Sequence, residues 1–111
     1  MNDLVLSSAV RQLELLGSRE ISVLELAEAH IHQIERLNPK LNALVDFDAN
    51  RVRVQARVLD EARGPYGPLH GLPVTVKSSI ATRGLKCEIG SLLHDGEIPR
   101  EDCLLYTSRC V

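Results

Sequence analysis

The stretch that most constrains this chain of 111 residues is His70–Ser79, which reads H-G-L-P-V-T-V-K-S-S. It follows the turn-forming pair Gly67-Pro68 and carries a run of apolar and β-branched residues over 72–76. A short apolar run bounded by turn signals predicts a buried β-strand, in which successive side chains point to opposite faces. The sequence therefore predicts a strand over 72–77 that ends on Lys77.

Lys77 is the candidate for chemistry in this stretch. Strand alternation places it on the same face as Thr75, and we expect it to be buried or half-buried at the end of the strand. An ammonium group that is partly removed from water loses its proton more readily, and the neutral amine can act as a base. Taken alone, a lysine at a strand end is more often a solvated side chain.

The residues around Lys77 carry a resemblance to a known family. Gly71–Lys77, G-L-P-V-T-V-K, resembles the lysine strand of the amidase signature family, G-[IV]-P-[VIF]-x-[VIL]-K. Asn38–Ala43 is similar to that family's N-P-x-[LI]-N-A, and Gly67–His70 is similar to its G-P-L-H. Downstream, Gly84-Leu85 and Gly90-Ser91 fit its G-L and G-S pairs. The similarity covers about residues 5–102, with the motifs in the family's order.

The resemblance implies acyl transfer by a Ser–cis-Ser–Lys triad acting on amide bonds, with Lys77 as the catalytic lysine. The family's two serines lie in a Gly/Ser-rich segment far downstream of the lysine, and the 111 residues contain no such segment. Ser78 stands where the family usually has an acidic residue. Because adjacent strand residues point to opposite faces, we interpret Ser78 and Ser79 as turn residues, not as partners of Lys77.

Three functional interpretations stay open at this point. The first is an amidase-type hydrolase with a small-molecule amide substrate. The second is the A subunit of an aminoacyl-tRNA amidotransferase, which implies partner subunits. The third is a non-catalytic remnant. Residues 1–102 are interpreted as the N-terminal portion of an amidase domain that is truncated, and 103–111 as an atypical tail that does not belong to the fold.

Composition excludes several classes of partner. The net charge of −2 gives no electrostatic reason to expect nucleic-acid binding. No apolar run approaches the ~20 residues of a membrane span, and the N-terminus lacks a basic signal-peptide region. The three cysteines lack C-x-x-C spacing, which is typical of reduced thiols and favours a cytoplasmic location. We expect no cofactor and no metal site, since His30 and His32 are two residues apart on a predicted helix and do not face each other. We assign no chemistry to His70.

The apolar periodicity predicts three helices, over 4–16, 22–37 and 49–63, each with an aliphatic stripe turned inward. Ser22 and Glu25 form a predicted capping box, Asn38-Pro39 is expected to end the second helix, and Asp48 is expected to cap the third. A short apolar strand is predicted over 43–47. The order helix, helix, strand, helix, strand predicts an α/β fold, with helices packed on a mixed sheet as in the N-terminal part of the amidase signature fold.

Overall fold

The computed structural model describes residues 2–103. It contains four α-helices and one 3₁₀ turn, namely α1 (Asn2–Leu6), α2 (Ala9–Gly17), α3 (Val23–Leu41), α4 (Ala49–Glu61) and the 3₁₀ turn Leu92–His94. The chain divides into two compact units, Met1–Pro73 and Val74–Val111. None of the helices in the described part of the chain is long and apolar enough to cross a lipid bilayer.

Residues 2–103 contain no β-strand, so the predicted α/β fold with a mixed sheet is wrong. A strand forms only when a neighbouring strand satisfies its backbone groups. In the predicted strand 43–47 a side chain takes that role instead. Asn38 Nδ2 donates to the carbonyl of Leu44 at 2.9 Å, and Leu44 N donates to Asn38 Oδ1 at 2.9 Å. The predicted strand 72–77 is likewise irregular.

The predicted first helix is divided into α1 and α2 by two serines. The hydroxyl of Ser7 donates to the carbonyl of Leu4 at 2.7 Å, and the side chain of Ser8 caps α2 by accepting from the backbone N–H of Arg11 at 3.2 Å. Such side-chain bonds compete with the helical ladder. The buried side chain of Gln12 then donates to the carbonyls of Leu4 and Ser7, both at 3.2 Å. It thereby ties α1 to α2.

Helix α3 begins as predicted and ends later than predicted. Glu25 N donates to Ser22 Oγ at 3.0 Å and Ser22 N donates to Glu25 Oε2 at 2.7 Å, which confirms the capping box. The helix continues through Pro39 to Leu41, and Asn42 closes it in the left-handed conformation with φ 49°. Because Pro39 lies in the last turn, it removes only one hydrogen bond from the ladder, and the predicted end at Asn38 is therefore wrong.

The core of the first unit lies between α3 and α4. Val23, Ala27 and Ala56 form a buried cluster, against which Leu16, Leu24, Val52 and Leu59 pack. Leu26 and Ile31 on α3 are fully buried, and burial of an aliphatic side chain of this size contributes about 1.5–3 kcal/mol. On α4 the predicted inward face of Val52, Ala56 and Leu59 is confirmed. Asp48 caps this helix as predicted, accepting from Asn50 N and Arg51 N.

The second unit is held together by pairing of residues 81–87 with 97–103. Cys103 N donates to the carbonyl of Ala81 at 2.9 Å. Gly84 N donates to the carbonyl of Pro99 at 3.2 Å, and Cys87 N donates to the carbonyl of Glu97 at 2.9 Å. Buried Thr82 and Cys87 lie along the first of these segments. The predicted tail falls mostly on 104–111, outside the described residues, and its assignment stays a prediction.

Candidate functional site

Lys77 lies in the second unit, where it opens a turn and not the end of a strand. The backbone N–H of Ile80 donates to the carbonyl of Lys77 at 2.9 Å, and the side chain of Lys77 is exposed. The expected half-buried position is therefore wrong. We expected burial because residues 72–77 were predicted to lie inside a sheet. In the described part of the chain these residues form no sheet. The catalytic role of Lys77 stays a prediction, and its amine is accessible.

The two serines that follow Lys77 are turn residues, as predicted. Ser79 is exposed, and the carbonyl of Ser78 accepts a hydrogen bond from the backbone N–H of Ile89 at 3.4 Å. That bond joins the loop around the G-S pair to the residue directly after Lys77. The contact was not foreseen in the sequence, since nothing local links positions 78 and 89.

Ile89 has an uncommon backbone conformation. Its φ is +54°, and Gly90 follows with φ +66°. A β-branched residue in the left-handed region is strained, whereas glycine adopts this region freely. Only the neighbouring Gly90 signals an irregular turn in the sequence, and it gives no reason to place Ile89 there. The strained residue Ile89 is thus hydrogen-bonded to Ser78, the residue that follows Lys77.

In the first unit, the G-P-L-H-G motif fixes the segment against the helices. His70 Nε2 lies 3.1 Å from the carbonyl oxygen of Leu59 on α4, and the His70 ring centroid lies 4.3 Å from that of Tyr66. Gly71 has φ +82°, and an added Cβ would lie 2.6 Å from Val23 Cγ2. One ring nitrogen of His70 and the small size of Gly71 therefore serve the packing of this segment.

A groove of about 680 Å³ lies beside this segment, between the ends of α2 and α4 and the start of α3. Its polar side chains include Ser22, Glu25, Asp60 and His70. These four are engaged in structural hydrogen bonds: Ser22 with Glu25, Asp60 with the start of α3, and His70 with Leu59. The polar groups of these four side chains are therefore used to hold the start of α3 and the segment after α4.

One arginine of α4, Arg53, joins α4 to α3. Arg53 donates to Glu28 from Nε at 2.6 Å and from Nη2 at 3.3 Å. This hydrogen bond lowers the pKa of Glu28 and raises the pKa of Arg53, and the positive charge of Arg57 lowers the pKa of Glu28 further. Arg51 and Arg57 are exposed. The arginine run is thus partly balanced by an acidic residue of the neighbouring helix.

Three histidines, His30, His32 and His94, have separate environments. His30 Nε2 lies 3.3 Å from Gln12 Oε1, and burial lowers the pKa of His30. His32 is exposed on α3, and His94 Nδ1 contacts the carboxylate of Glu97. Within residues 2–103, no three His, Cys, Asp or Glu side chains are grouped so that they could hold a metal ion.

Comparison with known proteins gives a consistent assignment. The sequence profile of the Amidase family matches residues 25–108. Over 93 residues, 81% of this chain, the sequence is 38% identical to the A subunit of the glutamyl-tRNA(Gln) amidotransferase of Methylococcus capsulatus. It is 33% identical over 105 residues, 92% of the chain, to the protein of the same name from Acidothermus cellulolyticus. It is 38% identical over 86 residues, 75% of the chain, to an acylamidase of Rhodococcus erythropolis.

The matched part is a small share of each relative. The chain spans 19%, 21% and 18% of these three proteins, about a fifth of their length. No solved structure matches the chain. The family profile nevertheless covers most of the chain and includes the whole G-L-P-V-T-V-K motif with Lys77. On that match, the chain belongs to the amidase family, as its resemblance to the amidase signature motifs predicts.

Proposed function

We propose that this chain supplies the lysine-bearing part of an enzyme that hydrolyses amide bonds, with Lys77 as its general base. The observation that carries the proposal is the family match across residues 25–108, a range that includes the G-L-P-V-T-V-K motif ending on Lys77. The side chain of Lys77 is exposed in this chain, so a proton donor can reach its amine. A small-molecule amide is the proposed substrate, and the cytoplasm is the proposed location.

The proposed reaction is acyl transfer in two steps. The neutral amine of Lys77 accepts the proton of a serine hydroxyl, and that serine accepts the proton of the nucleophilic serine, whose oxygen attacks the amide carbonyl. Backbone N–H groups stabilise the oxyanion that forms, and the amine leaves with a proton returned along the same relay. Water then releases the acyl group from the serine. The two serines lie in the family's downstream Gly/Ser-rich segment, so that we expect no turnover from the 111 residues by themselves.

The segment can be tested in a chimera that contains the missing serines. Residues 25–102 of this chain would replace the aligned segment of the Rhodococcus erythropolis acylamidase, to which the chain is 38% identical. We expect the chimera to hydrolyse simple aryl and aliphatic amides above the background of an unrelated protein. A folded chimera without activity would favour the interpretation as a non-catalytic remnant.

A second candidate function is the A subunit of an aminoacyl-tRNA amidotransferase. The relatives from Methylococcus capsulatus and Acidothermus cellulolyticus carry that name, and they favour this candidate. Such a protein would work with partner subunits, whereas a free amidase would work alone. Affinity purification of the tagged protein from its own host, followed by assays with glutamine and with aryl amides, separates the two. Co-purifying subunits and glutamine hydrolysis support the amidotransferase, while a single protein that cleaves aryl amides supports the amidase.

A further inference from the structure

The turn that presents Lys77 is held from two sides by backbone hydrogen bonds. Within the turn, Ile80 N donates to the carbonyl of Lys77 at 2.9 Å. From outside it, Ile89 N donates to the carbonyl of Ser78 at 3.4 Å. The second bond acts on the residue that directly follows Lys77. A shift of Ile89 would therefore move the backbone directly after Lys77.

Ile89 holds this position in a conformation that its own side chain does not favour. Its φ of +54° is strained for a β-branched residue. The side chain is 55% exposed, so burial of the side chain contributes little to offset the strain. Strained backbone persists only where the surrounding structure fixes it, and it is concentrated at functional sites.

The contacts around Ile89 provide that constraint. On one side of the loop, Cys87 N donates to the carbonyl of Glu97 at 2.9 Å. On the other, Ser91 N donates to the carbonyl of Glu88 at 2.9 Å, and the Glu88 carboxylate accepts from Gly96 N at 2.9 Å. These bonds hold the residues on both sides of Ile89 in the loop.

We propose that Ile89 is a positioning residue for Lys77. The loop 87–91 holds Ile89 in the left-handed conformation, and Ile89 N–H holds the carbonyl of Ser78, which fixes the turn that presents the amine of Lys77. This inference rests on the proposed function of Lys77 as the general base. The strained loop limits the directions in which the amine of Lys77 can point.

Two substitutions at this position separate the strain from the contact. Ile89→Gly keeps the backbone N–H and removes the strain, but it also removes the side chain that restricts the backbone angles of residue 89. Ile89→Val keeps the β-branch. In the 111-residue chain we expect Ile89→Gly to raise the melting temperature or leave it unchanged. We also expect hydrogen exchange of the Ile80 amide to become about tenfold faster, because the turn is less tightly held. Ile98→Gly, at another exposed isoleucine of the same unit, should lower the melting temperature without that change.

The catalytic consequence is measured in the chimera with acylamidase. We expect Ile89→Gly to lower kcat about tenfold or more with little change in KM, since misorientation of a catalytic group reduces the rate and not the binding of substrate. Ile89→Val should restore kcat. A kcat that falls only together with the melting temperature would show a merely structural role and overturn the proposal.

The outcomes also separate this inference from the proposed function. If Lys77→Ala is inactive and Ile89→Gly is fully active, the positioning role is wrong and the role of Lys77 stands. If Lys77→Ala is active, the proposed function itself is wrong, and with it the positioning role. If the chimera does not fold, the exchange of the Ile80 amide in the 111-residue chain decides: an unchanged rate in Ile89→Gly overturns the inference, and a faster rate supports it.

Discussion

The carboxylate of Asp60, near the end of α4, caps the start of α3 at Val23. Asp60 Oδ1 accepts from Val23 N at 2.7 Å, and Oδ2 accepts from Leu24 N at 2.9 Å. Together with the Ser22–Glu25 capping box, these bonds satisfy the backbone N–H groups that a helix start leaves without partners. One side chain thus joins two helices whose contact forms the core of the first unit.

We therefore predict that Asp60→Ala lowers the free energy of unfolding by about 1–2 kcal/mol, which is the usual cost of removing a helix cap. The matched control is Glu61→Ala, since Glu61 is an exposed carboxylate in the same turn of α4. That substitution should change the free energy of unfolding by less than about 0.5 kcal/mol. Urea denaturation of the two variants measures both values. Equal effects would show that Asp60 contributes only as a surface charge.

Gly71 gives a second prediction about stability. Alanine at this position would place Cβ 2.6 Å from Val23 Cγ2 and would be held at φ +82°. We expect Gly71→Ala to lower the free energy of unfolding by about 1–3 kcal/mol, from overpacking and backbone strain together. Gly67→Ala is the control, because nothing lies within 4 Å of its added Cβ. Thermal unfolding of both variants tests the assignment. A melting temperature for Gly71→Ala that equals that of Gly67→Ala would contradict it.

The environment of His30 predicts a dependence of stability on pH. Burial lowers the pKa of His30 below its ordinary value of 6.5, so the folded chain disfavours the charged form that the unfolded chain adopts below that pH. The stability contributed by neutral His30 is full above pH 6.5 and is lost as the pH falls from 6.5 through the folded-state pKa. The free energy of unfolding should therefore decrease as the pH is lowered from above 6.5 to below it.

Substitution identifies His30 as the source of that decrease. In His30→Gln the decrease on acidification should become smaller, whereas His32→Gln, at an exposed histidine of the same helix, should retain it. Urea denaturation on either side of pH 6.5 provides the measurement. If both variants showed the decrease of the unaltered chain, His30 would not be its source.

The helices could be predicted from the sequence because capping bonds and apolar spacing involve residues only a few positions apart. The capping box needs only Ser22 and Glu25, and the inward face of α4 needs only the spacing of its apolar residues. The division between α1 and α2 was missed because Ser7 and Ser8 bond to the backbone while the apolar periodicity continues across them. Helix α3 passed Pro39 because one lost hydrogen bond near a helix end has a small cost.

The strands could not be predicted from local pattern because a strand depends on a partner. Apolar alternation over 72–77 indicates only that the segment could lie in a sheet, and no partner strand is found within residues 2–103. The position of Lys77 depended on that sheet, and it was wrong for the same reason. Contacts such as Asp60 with Val23 and Ile89 with Ser78 join residues far apart in sequence. Only the family motifs, which reflect the whole amidase domain, point to Lys77 as the candidate base.

The most direct test of the central claim is the rate of amide hydrolysis by the chimera with Lys77→Ala. Loss of a general base removes its proton-transfer contribution, so we expect kcat/KM to fall about 10²–10⁴-fold while the melting temperature stays within about 2 °C, because Lys77 is exposed. Lys40→Ala, at an exposed lysine of α3, should retain full activity. Near-normal turnover in Lys77→Ala would contradict the assignment of Lys77 as the base.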